Sequence, residues 1–476
     1  MSTRWNRRNF LWQSSLSALS VLILDRSQHV VAAGRPASVL VLGAGLSGLQ
    51  TALLLEAHGL SVTVLEARDR VGGRVHTLDD LPGKPEGGGQ GFSEKYQRLL
   101  ALTRRLQVPV KPANRLDKAL LLHVRGQTVL PQDWAQSPAN HLVERERQLL
   151  PPQLLTHYLR AHNPFKDALA WTTPRYAALD ISLADYLRAQ GASAEALRLI
   201  RFDPGSLVNH LETTSTLWSL RNNQRSRSRS QPMQIQAGNS RLPEAIAAAL
   251  ESPVQLNKVV VSMHSRETEV EVCCADGTAF RANYAVVTLP FSVLRQVEIM
   301  PPLQGAQAEA VQTLPYTAVT QVHLSVRQPW EQDGYSPTMW TDSVLSSLRP
   351  HRDEQGRVQS LVCWANGSNA QRLDAMSSPA QAQFVQSELE KIRPGLASQV
   401  ELSRIVSWGR DPYARGAYSH FAPGQIRRFQ NQMAKPWKRI HFAGEHTAVS
   451  SPGMESALES AERVAGEILA RVRTRS

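Results

Sequence analysis

A glycine-rich turn and a following carboxylate are the residues of this 476-residue sequence that most directly indicate chemistry. The turn has the spacing G-x-G-x-x-G, with glycines at Gly43, Gly45 and Gly48, and Glu66 ends the next apolar run. In this motif the first glycine permits a tight turn, the second lets the backbone approach a pyrophosphate, and the third lets a helix pack closely. A carboxylate at the place of Glu66 accepts hydrogen bonds from an adenosine ribose. The spacing predicts a dinucleotide site for NAD or FAD rather than NADP.

The flanking residues predict the elements that position this turn. The apolar residues Val39–Leu42 do not alternate with polar ones, which is typical of a buried parallel strand. A helix should follow to His58, so that Leu46 and Ser47 at its start present unpaired N–H groups and the positive end of the helix dipole to the phosphates. A second strand, Ser61–Leu65, should complete the unit.

The stretch after the second strand distinguishes FAD from NAD. Glu66-Ala67-Arg68 leads into Val71-Gly-Gly73-Arg74, and this run resembles the signature that follows the ribose carboxylate in flavin amine oxidases, the family of monoamine, polyamine and L-amino-acid oxidases. Its two glycines bring the chain near the cofactor, and Arg74 can pair with the pyrophosphate through a charge-assisted fork. The resemblance covers nearly everything from Val39 to Ile468 and implies FAD as the cofactor.

Three later blocks carry the same resemblance, which implies a role for each. The run Glu86–Phe92 resembles the glycine-rich approach to the flavin ring, where backbone without side chains lies against the ring. Trp408–Ser419 resembles the segment that carries the aromatic substrate cage. Gly444–Met454 resembles the loop and helix start that meet the flavin N1–C2=O edge.

The resemblance and the motif together give a set of predicted site residues. The predicted cofactor-binding residues are Gly43, Gly45, Leu46, Ser47, Gly48, Glu66, Ala67, Arg68, Gly73, Arg74, Gly88, Gly89, Val259, Gly444, Glu445, Gly453 and Met454. The residues predicted at the reacting side are Tyr418, Gln321 and Gln90.

Four positions depart from the family pattern. Gln321 stands where the family places a lysine that holds a water at flavin N5. Ala417 stands where monoamine oxidases have a cysteine bonded to the flavin, so we expect FAD to be bound non-covalently. Gly453 replaces the second cage aromatic, which predicts a pocket open on that side. The arginine that clamps the substrate carboxylate in several L-amino-acid oxidases has no counterpart in the loop Gly89–Phe92.

We expect an α/β fold with a Rossmann-like FAD-binding domain built from discontinuous segments and a substrate-binding domain of mixed sheet and helices. Residues 107 to about 220 read as mostly helical, and the Arg-Ser-rich stretch Arg221–Gln231 as an exposed loop. Cys273, Cys274 and Cys363 fit neither a disulfide framework nor a metal site, and we expect no metal. The expected boundaries are 37–106, 232–300 and 431–472 for the FAD-binding domain, and 107–231 and 301–430 for the substrate-binding domain.

The N-terminus reads as an export signal. Asn6–Leu11 matches the twin-arginine pattern, the weakly apolar run Ser14–Leu24 follows, and Val31–Ala33 offers small residues for cleavage. That route carries folded proteins, so FAD could be bound before export. We therefore expect residues 1–33 to be a signal peptide and the mature protein to reach the periplasm or thylakoid lumen.

The resemblance implies FAD-dependent oxidative deamination of L-amino acids by O2, which gives a 2-oxo acid, ammonia and hydrogen peroxide. With its export signal, the sequence resembles the cyanobacterial type of L-amino-acid oxidase, which acts on basic amino acids. Arginine and lysine are therefore the favoured substrates. A monoamine or polyamine oxidase and a lipid desaturase of the same fold are alternatives, as is a non-catalytic basic binding protein, which would lack flavin colour. The net charge of +12 predicts a basic, solvated surface that would also suit peripheral association with a membrane. We expect no nucleic-acid partner, because the sequence has no nucleic-acid-binding motif, and a homodimer is left open.

Overall fold

The computed structural model describes residues 36–113, 120–167, 169–202, 209–225, 230–327, 336–353 and 355–474, and Ala37–Ser476 forms one compact unit. The predicted signal peptide lies outside the described residues. The strands are β1 (Ser38–Leu42), β2 (Ser61–Leu65), β3 (Phe92–Ser93), β4 (Val110–Pro112), β5 (Leu121–Val124), β6 (Gln127–Val129), β7 (Pro232–Ile235), β8 (Val260–Ser265), β9 (Val270–Cys274), β10 (Ala279–Ala282), β11 (Tyr284–Val287), β12 (Glu298–Met300), β13 (Tyr316–Thr317), β14 (Val319–Val326), β15 (Met339–Thr341), β16 (Ser347–Arg352), β17 (Val358–Asn366), β18 (Val400–Ser407), β19 (Tyr418–Ser419) and β20 (Ile440–Phe442). The α-helices are α1 (Leu46–Glu56), α2 (Gln97–Arg105), α3 (Leu154–Ala161), α4 (Leu183–Ala189), α5 (Ala194–Ile200), α6 (Thr216–Arg225), α7 (Arg241–Ala248), α8 (Phe291–Leu294), α9 (Gly305–Thr313), α10 (Ser368–Asp374), α11 (Ser378–Ile392), α12 (Leu396–Gln399), α13 (Gln425–Phe429) and α14 (Gly453–Arg473).

The glycine-rich turn follows the carboxyl end of β1, which lies inside a four-stranded parallel sheet with the order β2-β1-β11-β20. Val39 and Val41 of β1 pack into one apolar core together with α1 and α14, whereas Leu40 and Leu42 face a second, larger core. The strand is therefore buried on both faces, which explains its unbroken apolar sequence. The predicted strand–turn–helix–strand unit is confirmed, with the helix ending two residues before His58.

The first and last α-helices of this unit are joined directly. Ser47 in α1 and Ser460 in α14 lie 2.9 Å apart through their hydroxyl oxygens. The Ser460 hydroxyl donates to Ala457 O at 2.7 Å and accepts from the Gly444 backbone N–H at 2.9 Å. The bonds of Ser460 to Ser47 and to Gly444 are buried, so they hold the start of α1, the loop after β20 and α14 in a fixed relation.

A seven-stranded sheet with the order β18-β14-β17-β16-β15-β5-β6 forms the other large layer. Gln321 on β14 lies opposite Trp364 on β17, and Trp364 lies opposite Ser347 on β16. Residues directly opposite on adjacent strands share a face of the sheet. Gln321 and Trp364 therefore stand on one face, next to each other.

The sheets divide along the segments expected for the two domains. The parallel sheet uses strands from 37–106, 232–300 and 431–472 only, and the seven-stranded sheet uses strands from 107–231 and 301–430 only. The domain division itself stays a prediction. The expectation that residues 107 to about 220 are mostly helical is incomplete, because β4, β5 and β6 lie there and β5 pairs with β15.

The stretch Arg221–Gln231 was predicted wrongly as an exposed loop over its first part. Arg221–Arg225 form the last part of α6, and Arg221 is fully buried. Residues 226–229 lie outside the described part of the chain. In the ranges that are described, no helix combines the length and apolar character that crossing a bilayer requires.

Candidate functional site

A cavity of about 470 Å³ is lined both by the glycine-rich turn and by residues of the seven-stranded sheet. Both ends of the compact unit contribute to it, because Gly45 at the start of α1 and Gly453 at the start of α14 line the same space. Of the predicted site residues, all but Gly48 line this cavity, namely Gly43, Gly45, Leu46, Ser47, Glu66, Ala67, Arg68, Gly73, Arg74, Gly88, Gly89, Gln90, Val259, Gln321, Tyr418, Gly444, Glu445, Gly453 and Met454.

The three motif glycines meet different surroundings. A Cβ on Gly43, whose φ is +104°, would lie 2.7 Å from Thr288 Oγ1, and a Cβ on Gly48 would lie 1.9 Å from Gly43 O. A Cβ on Gly45 would meet no protein atom within 4 Å, because Gly45 borders the cavity. Gly43 and Gly48 are thus required by packing within the protein, and Gly45 leaves room for a bound group. The first turn of α1 carries no acidic residue, so the helix dipole stays available to an anion.

Glu66 is held so that its carboxylate faces the turn. The side chain is buried, and its two oxygens accept hydrogen bonds from the backbone N–H groups of Ala44 at 2.7 Å and Arg68 at 3.0 Å. Each carboxylate oxygen has a second lone pair. The geometry leaves capacity to accept a ribose hydroxyl, as the motif predicts.

Arg74 connects the second arginine loop with the end of the chain. Its Nη1 donates to Ala417 O at 2.9 Å and to Glu445 Oε1 at 3.1 Å. Glu445 also accepts from the N–H and the hydroxyl of Ser419, both at 3.0 Å. The carboxylate of Glu445 therefore positions Arg74 at the cavity wall and ties β19 to it.

The loop expected against the flavin ring packs tightly on the protein side. A Cβ on Gly88 would lie 2.2 Å from Arg74 O, and one on Gly89 would lie 3.5 Å from Met454 Sδ. Gln90 donates from Nε2 to Glu86 O at 3.3 Å. A Cβ on Gly88 would overlap Arg74 O, so that position requires glycine, whereas a Cβ on Gly89 would make an ordinary contact. Both glycines line the cavity, where backbone without side chains allows a flat ring to approach.

Gln321 occupies a buried position on the sheet face beside this loop. With its amide nitrogen toward the loop, it donates to Gly87 O at 3.0 Å and Glu86 O at 3.3 Å. Trp408 Nε1 donates to the same Gly87 oxygen at 2.8 Å. Gln321 and Trp408 thus hold the glycine-rich loop in place through Gly87 O, and neither side chain carries a charge.

Aromatic side chains surround the other end of the cavity. Tyr418, Trp364, Trp408 and Trp218 all line it. The expectation that the pocket is open beside Gly453 needs correction, because the hydroxyl of Tyr96 lies 3.2 Å from the place a Cβ on Gly453 would take. An aromatic residue just before α2 therefore stands where the family pattern has an aromatic at the start of the last helix.

Three arginines that the sequence did not single out also line this end: Arg221 and Arg225 from α6, and Arg349 from β16. Arg221 lies 4.5 Å from the ring centres of both Trp171 and Trp218. Arg221 and Arg225 begin the Arg-Ser-rich stretch, whose composition reads as solvated. The sequence signal against that reading is the apolar run directly before it, with Leu217, Trp218 and Leu220, which the structure buries on α6.

His446, next to Glu445, does not line the cavity. It is buried and packs on Phe291, with ring centres 4.3 Å apart. Burial lowers the pKa of His446 to about 3, so the ring is neutral at physiological pH. A buried, neutral ring that does not reach the cavity has a structural role and is not placed to act as a general base.

The donor set fits FAD at both of its ends. Helix starts at Gly45 and Gly453 face one space, Glu66 and Arg74 lie between them, and the open volume at Gly45 matches a pyrophosphate rather than a side chain. The chain's three cysteines lie in β9 and β17 and do not line the cavity, so the wall offers no thiol for a covalent bond to the ring. Within the described ranges, no group of three or more His, Cys, Asp or Glu side chains is arranged to hold a metal ion.

Comparisons with known proteins agree with this geometry. Residues 46–469 match the family model of flavin containing amine oxidoreductases. A putative L-amino-acid oxidase of Bacillus subtilis (strain 168), YobN, is 28% identical over 477 residues, which cover 94% of this chain and 96% of that protein. The L-amino acid oxidase bordonein-L of Crotalus durissus terrificus is 24% identical over 91% of this chain and 87% of its own length. The structure of a putrescine oxidase bound to putrescine has a TM-score of 0.75 to this chain, covers 91% of it and 99% of that chain, and is 24% identical, which shows a shared fold.

The motif glycines make a paired prediction that separates folding from cofactor binding. Gly48→Ala should lower the melting temperature sharply or prevent folding, because its Cβ would overlap Gly43 O. Gly45→Ala should leave the apoprotein folded, because its φ of −73° suits alanine, yet reduce FAD content. Thermal unfolding and flavin absorbance per protein measure both effects. Full FAD content in Gly45→Ala would show that the pyrophosphate does not lie at this turn.

Glu86 predicts a pH dependence of stability. It is half-buried at the start of the glycine-rich loop, accepts from Asn239 N at 2.7 Å and Thr77 Oγ1 at 3.1 Å, and partial burial raises its pKa to about 7. The folded state keeps a proton that the unfolded state releases above its pKa of 4.5, so this group costs stability as pH rises from there to about 7. Relative to Glu86→Gln, the wild type should lose at most about 3 kcal/mol over that range.

Chemical unfolding of the wild type and Glu86→Gln at about pH 5 and about pH 8 tests this dependence. The difference in unfolding free energy between the two proteins should change with pH. Parallel pH curves would mean that Glu86 titrates alike in both states.

Proposed function

The chain belongs to the flavin-containing amine oxidoreductase family, and from that membership we propose that it is an FAD-dependent L-amino-acid oxidase. The proposed reaction converts an L-amino acid, O2 and water into a 2-oxo acid, ammonia and hydrogen peroxide. The observation that carries the proposal is the charge of the cavity wall. Arg221, Arg225 and Arg349 line its aromatic end, and guanidinium groups suit a substrate that bears a carboxylate.

The few carboxylates that line the cavity also favour a substrate that bears a carboxylate over a diamine. Among the described residues the lining contains two, Glu66 and Glu445, and both accept hydrogen bonds from the protein. A plain diamine would therefore bring two positive charges to a wall that already carries guanidinium groups. Like charges placed together in a partly buried site disfavour binding, so the putrescine that the solved relative binds is a poorer fit here than an amino acid.

FAD held by Glu66, Arg74 and the two helix starts would supply the oxidising chemistry, which takes a hydride from the substrate α-carbon and passes the electrons to O2. The chain's own residues hold and orient the reactants. Tyr418 and Trp364 form apolar walls that exclude water from the reacting carbon. Gln321 and Trp408 fix the glycine-rich loop by their bonds to Gly87 O. The reaction needs the neutral amine, and His446 is too deeply buried to take its proton.

The resemblance to the cyanobacterial type favours arginine and lysine as substrates. The described lining offers no unengaged carboxylate to pair with a side-chain cation, so neutral L-amino acids stand beside arginine and lysine in the assay. A monoamine or polyamine oxidase is the second candidate, favoured by the fold shared with the putrescine oxidase.

Aerobic peroxide release distinguishes these functions. The purified yellow protein should release peroxide with L-amino acids, together with an equal amount of 2-oxo acid, and show little turnover of putrescine or phenethylamine. Tyr418→Ala should raise KM or lower kcat about 10-fold or more while FAD stays bound, because one wall of the site is lost, whereas Tyr418→Phe should keep most activity. Peroxide from amines alone would replace the amino-acid assignment with an amine oxidase.

We also propose export through the twin-arginine route, supported by the pattern Asn6–Leu11. Replacing Arg7 and Arg8 together by lysine should leave the precursor in the cytoplasm, because that route reads the arginine pair. Fractionation of cells that produce the tagged protein measures the location. Equal export of the wild type and the double variant would contradict the proposal.

A further inference from the structure

Helix α6 brings two arginines to one point on the cavity wall. Arg221 and Arg225 are four residues apart and so lie one above the other on the same face of the helix. Their Nη2 atoms donate to the same acceptor, the carbonyl oxygen of Val449, at 2.8 and 3.0 Å. Both side chains line the aromatic end of the cavity. The two guanidinium groups therefore form one local concentration of positive charge beside the substrate space.

This charge lacks an anionic partner in the described part of the chain. Neither guanidinium has a carboxylate oxygen within 4 Å there, whereas the half-buried Arg68, Arg74, Arg198 and Arg463 each have one. The Nε atoms of Arg221 and Arg225 are buried and make no hydrogen bond. Burying a guanidinium without a counter-charge is costly, so a pair retained in this form indicates a ligand that supplies one.

The nearby carboxylates are committed elsewhere. The negative charge of Glu459 acts to raise the pKa of both arginines. Its oxygens, however, accept hydrogen bonds from the backbone N–H groups of residues 449–451 and from the Ser450 hydroxyl. Glu455 accepts from the backbone N–H groups of Arg98 and Leu99. The bonds of Glu459 hold the loop before α14 in place, and those of Glu455 hold the start of α2. Neither carboxylate makes an ion pair with the α6 guanidinium groups.

We propose that Arg225, supported by Arg221, binds the carboxylate of the substrate. The inference rests on the proposed amino-acid oxidase function and assigns the residue that recognises the shared part of that substrate class. Arg225 is the half-buried member of the pair, whereas Arg221 is fully buried and packs against both Trp171 and Trp218. A planar guanidinium matches a carboxylate through two parallel hydrogen bonds.

The position of Arg225 on α6 explains why the glycine-rich loop needs no arginine for the substrate carboxylate. The chain has Gln90 and Gly91 in that loop, and Tyr96 stands a short distance further on, with its hydroxyl beside Gly453. Tyr96 and Arg225 both line the cavity. The carboxylate site is thus supplied from α6, with Tyr96 as an adjacent hydroxyl, instead of from the loop.

The test uses the flavin-loaded protein and benzoate, a carboxylate that cannot be oxidised. Binding is followed by the shift it causes in the flavin absorption band. Arg225→Gln should weaken benzoate binding by about 10- to 100-fold, the range for loss of a charge-assisted hydrogen bond, and Arg225→Lys should weaken it less because the charge stays. Arg357→Gln, on an exposed turn away from the cavity, is the matched control and should bind as the wild type does.

Steady-state kinetics with a substrate pair gives an independent readout. For L-phenylalanine, Arg225→Gln should raise KM much more than it lowers kcat, and for phenethylamine, which lacks the carboxylate, the loss should be small or absent. Arg349→Gln tests the arginine on the sheet side, which lies over the Trp364 ring with its guanidinium carbon 5.8 Å from the ring centre. It should weaken benzoate binding less than Arg225→Gln does.

The outcomes separate this inference from the proposed function. If the wild type oxidises only amines but Arg225→Gln still loses benzoate binding, the amino-acid function fails and the carboxylate site stands. Unchanged benzoate binding in Arg225→Gln, or no benzoate binding by the wild type, overturns the site. Loss of FAD from both Arg225→Gln and Arg225→Lys overturns it as well, because the guanidinium would then hold the cofactor.

Discussion

The structure depends on one constraint: the starts of two helices that are more than 400 residues apart in sequence must face a single cavity. The buried hydrogen bond between Ser47 and Ser460 and the apolar core shared by α1 and α14 satisfy it. Each helix start carries a partial positive charge. Bringing the two to opposite ends of one space creates a site for a long dinucleotide whose phosphates and ring edge are both electron-rich.

The remaining contacts follow from this arrangement. Glu66 and Arg74 lie between the helix starts, and the bond from Arg74 to Glu445 connects the first hundred residues with the last fifty. The seven-stranded sheet then closes the far end with Trp364 and Gln321, while α6 closes the side with Arg221 and Arg225. One part of the cavity is therefore built from local, sequence-contiguous motifs, and the other from side chains that meet only in the folded chain.

That difference decides what the sequence could predict. The strand, turn and carboxylate of residues 39–66 are local, and the structure has them where the spacing indicates. Tyr96 replaces the aromatic missing at Gly453 from another element, and no local pattern points to it. Arg221–Arg225 have the composition of a solvated loop, but burial against Trp171 and Trp218 places them in a helix. Tertiary packing overrides composition there, and these are the residues that distinguish the substrate end.

The most direct test of the account is anaerobic mixing of the yellow protein with single L-amino acids, followed through the flavin absorption band. An L-amino acid should bleach the band and yield one 2-oxo acid per flavin, while the D-enantiomer should leave the band unchanged. A band that persists with every L-amino acid, yet bleaches with an amine that has no carboxylate, would contradict it.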